Sequence, residues 1–534
     1  MTDAERAMGS FTRRKLKKLD NWPEWLAGKH KQLDQFHELG MYGPPQYAPK
    51  DAIILSPHWQ YRVKTSGKRR SRNCCDGSVR AAPRLHALAE TYASCVEQPV
   101  MRLFFALAAA DNYLVYGGDA VDAFAHSPAP RVPTFIRVDD AFADWYLDRF
   151  NIILDRSQVL PVQHALQGHP EAARLWEEHI NKILLDLGFT STTHERNIYQ
   201  GTFQGVHTLL CRQVDDFAFA TPDPAIAKYV YEQIGLKLQL PGELTIPFEQ
   251  LGLITSFNGV DIVQTRDYIK LHCATYLRRL LATHQWETPS AIESSVGSRP
   301  VEPLPASDLP ALYSTTGPAE HTLEHAHLEK EMKFSYRQLL GEILYAYVVA
   351  RPDIGYAITT LAKFAKSPAR IHYQRLKGVA KYLRNTIDWG IIYWRSSPNP
   401  NLPHVPLIVP DYADTLPTFP ISAFPHELIG YVDAAHANEL QHRRSTTGYG
   451  FTLAGGVIAY RSKTQTITAT SSTEAEFIAA VSAGKVARYL RSILTQLGYP
   501  PHGPTPLYTS DASDDDDSEQ SLACRPLTLK TLAI

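Results

Sequence analysis

Leu209-Leu210-Cys211-Arg212-Gln213-Val214-Asp215-Asp216-Phe217-Ala218-Phe219-Ala220 sets an acidic pair between two apolar runs. The alternation on either side predicts two short strands with the pair at their bend. Such a hairpin lifts two carboxylates from a sheet, where they repel each other unless a cation sits between them. Hard oxygen donors of this kind suit Mg²⁺, with Mn²⁺ as the alternative ion. An Asp-Asp pair also occurs in ordinary solvated turns, so the reading calls for a third carboxylate elsewhere. Tyr113-Leu114-Val115-Tyr116-Gly117-Gly118-Asp119-Ala120-Val121-Asp122-Ala123-Phe124 offers one. Leu114 to Tyr116 read as a strand ending at Gly117-Gly118, which places Asp119 at a strand end facing a cleft. Phe124 follows five residues on, and core packing is the commoner fate of a phenylalanine.

A second acidic constellation lies near the C-terminus. Leu428-Ile429-Gly430-Tyr431-Val432-Asp433 reads as a strand ending in a carboxylate, followed by strands over Gly448 to Leu453 and Val457 to Arg461. Ser472-Thr473-Glu474-Ala475-Glu476-Phe477 opens a helix, with Ser472 or Thr473 as the cap and the acids suited to its dipole. Leu507-Tyr508-Thr509-Ser510-Asp511 reads as a further strand ending in an acid.

The 534 residues, 44% hydrophobic and 20% charged, suffice for two or three domains and exclude a disordered chain. No uninterrupted apolar run reaches the ~18 residues of a membrane span. The basic start, Arg13 to Lys18, lacks the apolar core of a secretory signal. Six cysteines show no C-x-x-C spacing, which argues against zinc and disulfide frameworks. A net charge of −1 is low for an enzyme that grips phosphates, but Arg62, Lys64, Lys68, Arg69, Arg70 and Arg72 form a local basic cluster. Asp514 to Asp517 form an acidic run of the kind that is normally a solvated tail. Met101 to Ala110 reads as a buried helix, and Trp176, Ile180, Ile183, Leu184 and Leu187 form a helical core stripe. His321, His325 and His327 could suggest a metal site, but without an acidic or cysteine partner set they read as a solvated face.

In chain order, from about Trp59 to about Asp511, these segments resemble the polymerase and RNase H region of copia-type LTR retrotransposon polyproteins. Asp119 with Ala123-Phe124 resembles the first catalytic box of that family, and Gln213-Val214-Asp215-Asp216 its aromatic-Val-Asp-Asp box. Leu160 to Pro170 with Trp176, Phe257-Asn258-Gly259-Val260-Asp261-Ile262, Tyr336-Arg337 and Arg351-Pro352-Asp353-Ile354 are similar to further boxes, as are His372, Tyr382-Leu383 and Gly390. Arg443 to Tyr449 and Ser471 to Phe477 resemble its RNase H segments. Gln213 replaces the usual aromatic, and His169-Pro170-Glu171-Ala172-Ala173 departs from the usual Leu-Lys-Gln-Ala-Pro, which removes a lysine at Pro170.

The resemblance implies an α+β fold: a right-hand fingers, palm and thumb polymerase, a helical connection, and an RNase H-like α/β domain. The expected divisions are an N-terminal extension (1–50), fingers to thumb (51–285), linker (286–330), connection (331–395), proline-rich linker (396–427) and RNase H-like domain (428–534). It implies two-metal nucleotidyl transfer from dNTP to a primer 3′-hydroxyl at Asp119, Asp215 and Asp216. Phe124 would reject ribonucleotides, while Arg72, Gln167 and Gly168 would meet nucleotide and template. Asp433, Glu476 and Asp511 would be the RNase H metal ligands, with Glu474 a first-turn helix acid. No counterpart of the family's final basic-His segment follows, so the C-terminal domain is expected to be incomplete and its nuclease activity is in question. The implied partners are RNA template, DNA primer, RNA–DNA hybrid and dNTPs, with other element-encoded proteins, in cytoplasmic virus-like particles or the nucleus. The alternative is a decayed or co-opted fragment that binds hybrid without synthesis.

Overall fold

The computed structural model describes residues 11–63, 67–288, 302–407 and 425–509, together with the backbone of the strand Arg525–Thr528. At its centre lies an antiparallel sheet of six strands, in the order Phe248–Leu253, Leu114–Ala120, Asp216–Thr221, Val206–Gln213, Ile198–Phe203 and Thr190–Ser191. Both faces of its inner strands Leu114–Ala120, Asp216–Thr221 and Val206–Gln213 are covered, so these are apolar on each side rather than alternating with polar residues, whereas the edge strand Phe248–Leu253 is exposed after its first residue. Val115, Leu209, Cys211, Ala218 and Ala220 pack in the core that holds the helix Gln98–Ala110. Leu210, Phe217 and Phe219 pack with the helices Ala172–Asp186 and Pro224–Leu238 on the other side. The stripe of Trp176, Ile180, Ile183 and Leu184 is buried there, with Leu187 only partly so.

The strand carrying Asp119 does not end at Gly117-Gly118 but runs through them to Ala120. Their reason is close packing. A Cβ at Gly118 would stand 2.6 Å from the Phe248 ring and 2.9 Å from Tyr231, and one at Gly117 3.2 Å from Leu251.

The region expected to form the fingers holds two smaller sheets. Gln46–Tyr47, Gln158–Pro161, Thr134–Arg137 and Ile53–Leu55 form one, and the hairpin Pro57–Val63/Arg69–Cys75 stands as a two-stranded sheet of its own. After the central sheet, Ser256–Phe257, Val260–Gln264 and Tyr268–His272 lead into the helix Ala274–His284. The connection is helical over Tyr336–Val349, Gly355–Ala362 and Arg370–Asn385, but it ends in the strand Gly390–Trp394, which pairs with Tyr268–His272. The second half of the stretch read as a linker is also built: Leu309–Ser314 and Leu323–Met332 are helices, and Leu312 is fully buried beneath His372, whose ring meets its carbonyl.

In the C-terminal sheet the order is Gly456–Thr464, Thr446–Leu453, Ile429–Ala435, Pro506–Thr509 and Arg525–Thr528, with Pro506–Thr509 parallel to Ile429–Ala435. The helix Ser472–Gln496 lies on it, capped by Ser471 rather than by the residues after it: the Ser471 hydroxyl accepts from the Glu474 amide at 3.1 Å. This sheet shares a core with the central six-stranded sheet and the helix Gln98–Ala110. Helix Gln98–Ala110 is buried on every side, as an all-apolar helix must be, and its one cation, Arg102, is buried with it. The Arg102 guanidinium donates to the carbonyls of Ile458 (2.7 Å) and Val348 (2.8 Å) and lies 4.5 Å from the Tyr460 ring centre. Among the described residues no helix is long and apolar enough to cross a membrane.

Candidate active site

The Val206–Gln213 and Asp216–Thr221 strands pair from Leu209↔Ala220 to Gln213↔Asp216, which leaves Val214 and Asp215 as a two-residue turn. On its other edge Asp216 is in register with Asp119. The three aspartates foreseen as a site are therefore neighbours at one end of one sheet. By the period of two, Asp119 and Asp216 share the face of Val115, Ala218 and Ala220.

The turn is strained. Val214 has φ +57°, a left-handed conformation that a β-branched residue adopts at a cost of ~1–3 kcal/mol. Two donors hold its carbonyl: the Trp176 indole at 2.7 Å and the buried Arg212 guanidinium at 3.2 Å. Arg212 is fixed in turn by Asn197 at 2.6 Å. Gln213, where the resemblance led one to expect an aromatic, accepts from the Val96 amide at 3.1 Å.

Burial pushes the Asp119 carboxyl up to about 6, with the negative charges of Asp215, Asp216, Glu249 and Asp122 adding to it. Asp216 is raised as well, by burial and then by Asp215. Glu249 had not been foreseen; it stands on the edge strand directly opposite Asp119, a pairing no local pattern announces. The chemistry of this donor set, hard oxygens whose mutual repulsion a cation relieves, fits Mg²⁺ or Mn²⁺. Among the described residues, however, no three such side chains already converge as a finished metal cage.

Opposite the acids stands the basic hairpin, and the structure sorts its cluster by strand period. Arg62 pairs with Arg70 and Gln60 with Arg72, so these four share a face. Arg70 feels the charges of Asp119 and Asp122 directly, and burial with its cationic neighbour Arg72 lowers its pKa. Sequence reasoning favoured Arg72; Arg70, two residues earlier on the same face, is the one whose charge is seen to couple to the acids. Arg69 points the other way, to Glu24, and Lys64 lies outside the described residues.

Gln167 and Gly168 reach the same hairpin by backbone. The Gln167 carbonyl accepts from the Cys75 amide at 2.8 Å, and a Cβ on Gly168 (φ +91°) would lie 2.2 Å from the Cys75 oxygen. Phe124 is half-buried against Ala165, Ala172 and Leu175.

In the C-terminal sheet, Glu476 brings one carboxylate oxygen to the Ala434 amide at 3.0 Å, one residue beyond the exposed Asp433. Its other oxygen is buried with no hydrogen-bond partner among the described residues, and burial followed by Asp433 raises its pKa. An orphaned buried oxygen beside a second carboxylate is a fitting start for a cation site. Glu474 instead accepts from the Thr470 amide at 2.7 Å, as a first-turn acid should. Asp511 and the acidic run 514–517 lie outside the described residues.

Residues 47–290 match the family model described as "Reverse transcriptase (RNA-dependent DNA polymerase)". The chain is 25% identical over 417 residues to the "Retrovirus-related Pol polyprotein from transposon TNT 1-94" of Nicotiana tabacum, a match covering 77% of this chain and 27% of that protein. It is 35% identical over 155 residues to the "Secreted RxLR effector protein 161" of Plasmopara viticola, covering 29% of this chain and 90% of that one. Among solved structures, the foamy viral protease-reverse transcriptase in complex with dsDNA aligns with 92% of this chain and 75% of its own, at 12% identity and a TM-score of 0.42. The chain thus spans about a quarter of the tobacco polyprotein it matches.

Proposed function

Because this chain belongs to the reverse transcriptases of copia-type retrotransposon polyproteins, we propose that it is an RNA-directed DNA polymerase, extending a DNA primer along an RNA template with dNTPs. The observation that carries the reading is the placement of Asp119 and Asp216 in register, with Asp215 on the adjoining turn and Arg70 on the hairpin opposite. Asp119, Asp215 and Asp216 would hold the divalent ions, which when bound lower the pKa of the primer hydroxyl and steady the departing pyrophosphate. Asp119 must give up its proton for that role, and with its carboxyl near 6 it is ionised at neutral pH. Arg70, with Arg62 and Arg72 on the same face, supplies positive charge for a triphosphate. Trp176 and Arg212 keep the Val214 turn bent and so present Asp215. Phe124 would stand guard against the ribose 2′-hydroxyl.

Asp433 and Glu476 would begin a second, nucleolytic site acting on the RNA strand of an RNA–DNA hybrid. The experiment is primer extension on an RNA template with dNTPs and Mg²⁺; extension that stops on chelation and resumes with Mg²⁺ supports the reading. A second reading, a hybrid-binding protein without synthesis, is favoured by the low net charge of −1 and by Gln213. It would give salt-dependent hybrid binding with no extension at any metal concentration.

A further inference from the structure

The segment ahead of the matched region carries the helix Trp22–Glu38, which sequence reading left without a role. We infer that this helix sets where Arg70 stands relative to Asp119, acting as a strut between the basic hairpin and the loop that follows the first aspartate. The inference rests on the polymerase reading for its consequence, but not for its geometry.

The hairpin needs such support. Among the described residues it has two strands and no third, and an isolated pair of strands is marginal in water unless something covers one face. Its odd-numbered residues face the helix, opposite the arginine face. Tyr61 meets Trp25 edge-on with ring centres 5.7 Å apart. The Ser71 hydroxyl donates to the Trp25 carbonyl at 2.9 Å, and Arg69 pairs with Glu24. Lys29 is 1% exposed; its ammonium sits 4.5 Å from the centre of the Trp59 ring, with Tyr61 and Trp22 at 5.6 and 5.8 Å. An ammonium caged by three rings of two different elements ties those elements together by attraction to the ring faces.

The far end of the same helix reaches the palm. The Gln35 amide donates to the Asp122 carboxylate, three residues past Asp119, where Asp122 itself is held at φ +48°. One rigid helix therefore touches the back of the hairpin whose front carries Arg70, and the loop that follows the strand of Asp119. Arg70 and Asp119 are spaced through it.

The test uses the full chain with Lys29→Ala and Gln35→Ala, and Lys29→Arg as the conservative variant that keeps a cation over the rings. Amide hydrogen exchange is read over residues 57–75 and over the helix Gln98–Ala110. The strut requires faster exchange in the hairpin, by roughly tenfold or more, with helix Gln98–Ala110 unchanged, and restoration in Lys29→Arg. In primer extension both alanine variants should raise the KM for dNTP roughly 5- to 50-fold, with kcat within about threefold of the parent. Hairpin exchange unchanged in both variants, or kcat lost at parental KM, overturns the inference. If Lys29→Ala also loses protection in helix Gln98–Ala110, it has unfolded, and Gln35→Ala decides. A parent chain that does not extend primers would refute the polymerase reading alone, because the exchange measurement still decides the strut.

Discussion

Asp119→Asn should make the metal-free protein more stable while abolishing its chemistry. In the folded chain the Asp119 carboxyl stands at about 6 against an ordinary 3.8, through burial and then four neighbouring carboxylates. At full value that displacement is worth ~3 kcal/mol of penalty on the ionised form. Asp119 is only half-buried, so solvent screening reduces the figure to ~1 kcal/mol. The sign follows from linkage: a raised pKa means that the folded state binds the proton more tightly. Stability from this group is full below about 4 and is lost as pH rises through about 6. Asparagine carries no charge, so its advantage over aspartate is ~1 kcal/mol at pH 8 and vanishes near pH 4. Urea unfolding of both proteins in chelator at the two pH values reads the difference directly. Adding Mg²⁺ at pH 8 should shrink or reverse it, because the cation binds the folded aspartate form. An asparagine variant that is less stable at pH 8, or whose advantage is the same at both pH values, would refute the reasoning.

Other consequences follow from packing and from the second site. Gly168→Ala combines a left-handed backbone with a Cβ 2.2 Å from the Cys75 oxygen, so it should cost ~2–4 kcal/mol and loosen residues 57–75, seen by hydrogen exchange. Arg102→Leu strands the Ile458 and Val348 carbonyls at the junction of palm helix, connection and C-terminal sheet; a loss of ~3 kcal/mol in urea unfolding is expected. For RNA cleavage in a hybrid, Glu476→Gln should remove any Mg²⁺-dependent activity while Glu474→Gln leaves it, assayed with end-labelled RNA.

The central hairpin was legible because its signal is local: an apolar run stands on each side of the acidic turn, and the structure pairs Leu209–Gln213 with Asp216–Ala220, although both faces of the pair are buried and the expected alternation with polar residues is absent. The helix Gln98–Ala110 was legible for the same reason, as an apolar run too long for a buried strand. What escaped depends on contacts between distant residues. Gly117-Gly118 resembled a strand end because nothing in sequence shows Phe248 and Tyr231 pressing on them. The stretch before Leu312 was rich in proline and serine, yet within its described part, from residue 302, Leu304 and Leu312 are buried in the core and Asp308 pairs with Arg375. Proline-rich sequence before Leu428 suggested a separate unit, whereas Arg102 joins the C-terminal sheet to the helix under the palm. In the site, the acids were marked by their boxes, but Glu249 and Gln35 arrive from elsewhere in the chain and carry no motif. Arg70 was within reach of sequence reasoning, since it shares a strand face with Arg72.

The most direct test of the central claim is primer extension on an RNA template with dNTPs and Mg²⁺, comparing the parent chain with an Asp215→Asn, Asp216→Asn double variant whose hybrid binding is measured alongside. Extension by the parent, and its loss in a variant that still binds hybrid, is the result this account requires. Equal extension by the two proteins, or none from a folded, hybrid-binding parent, would contradict it.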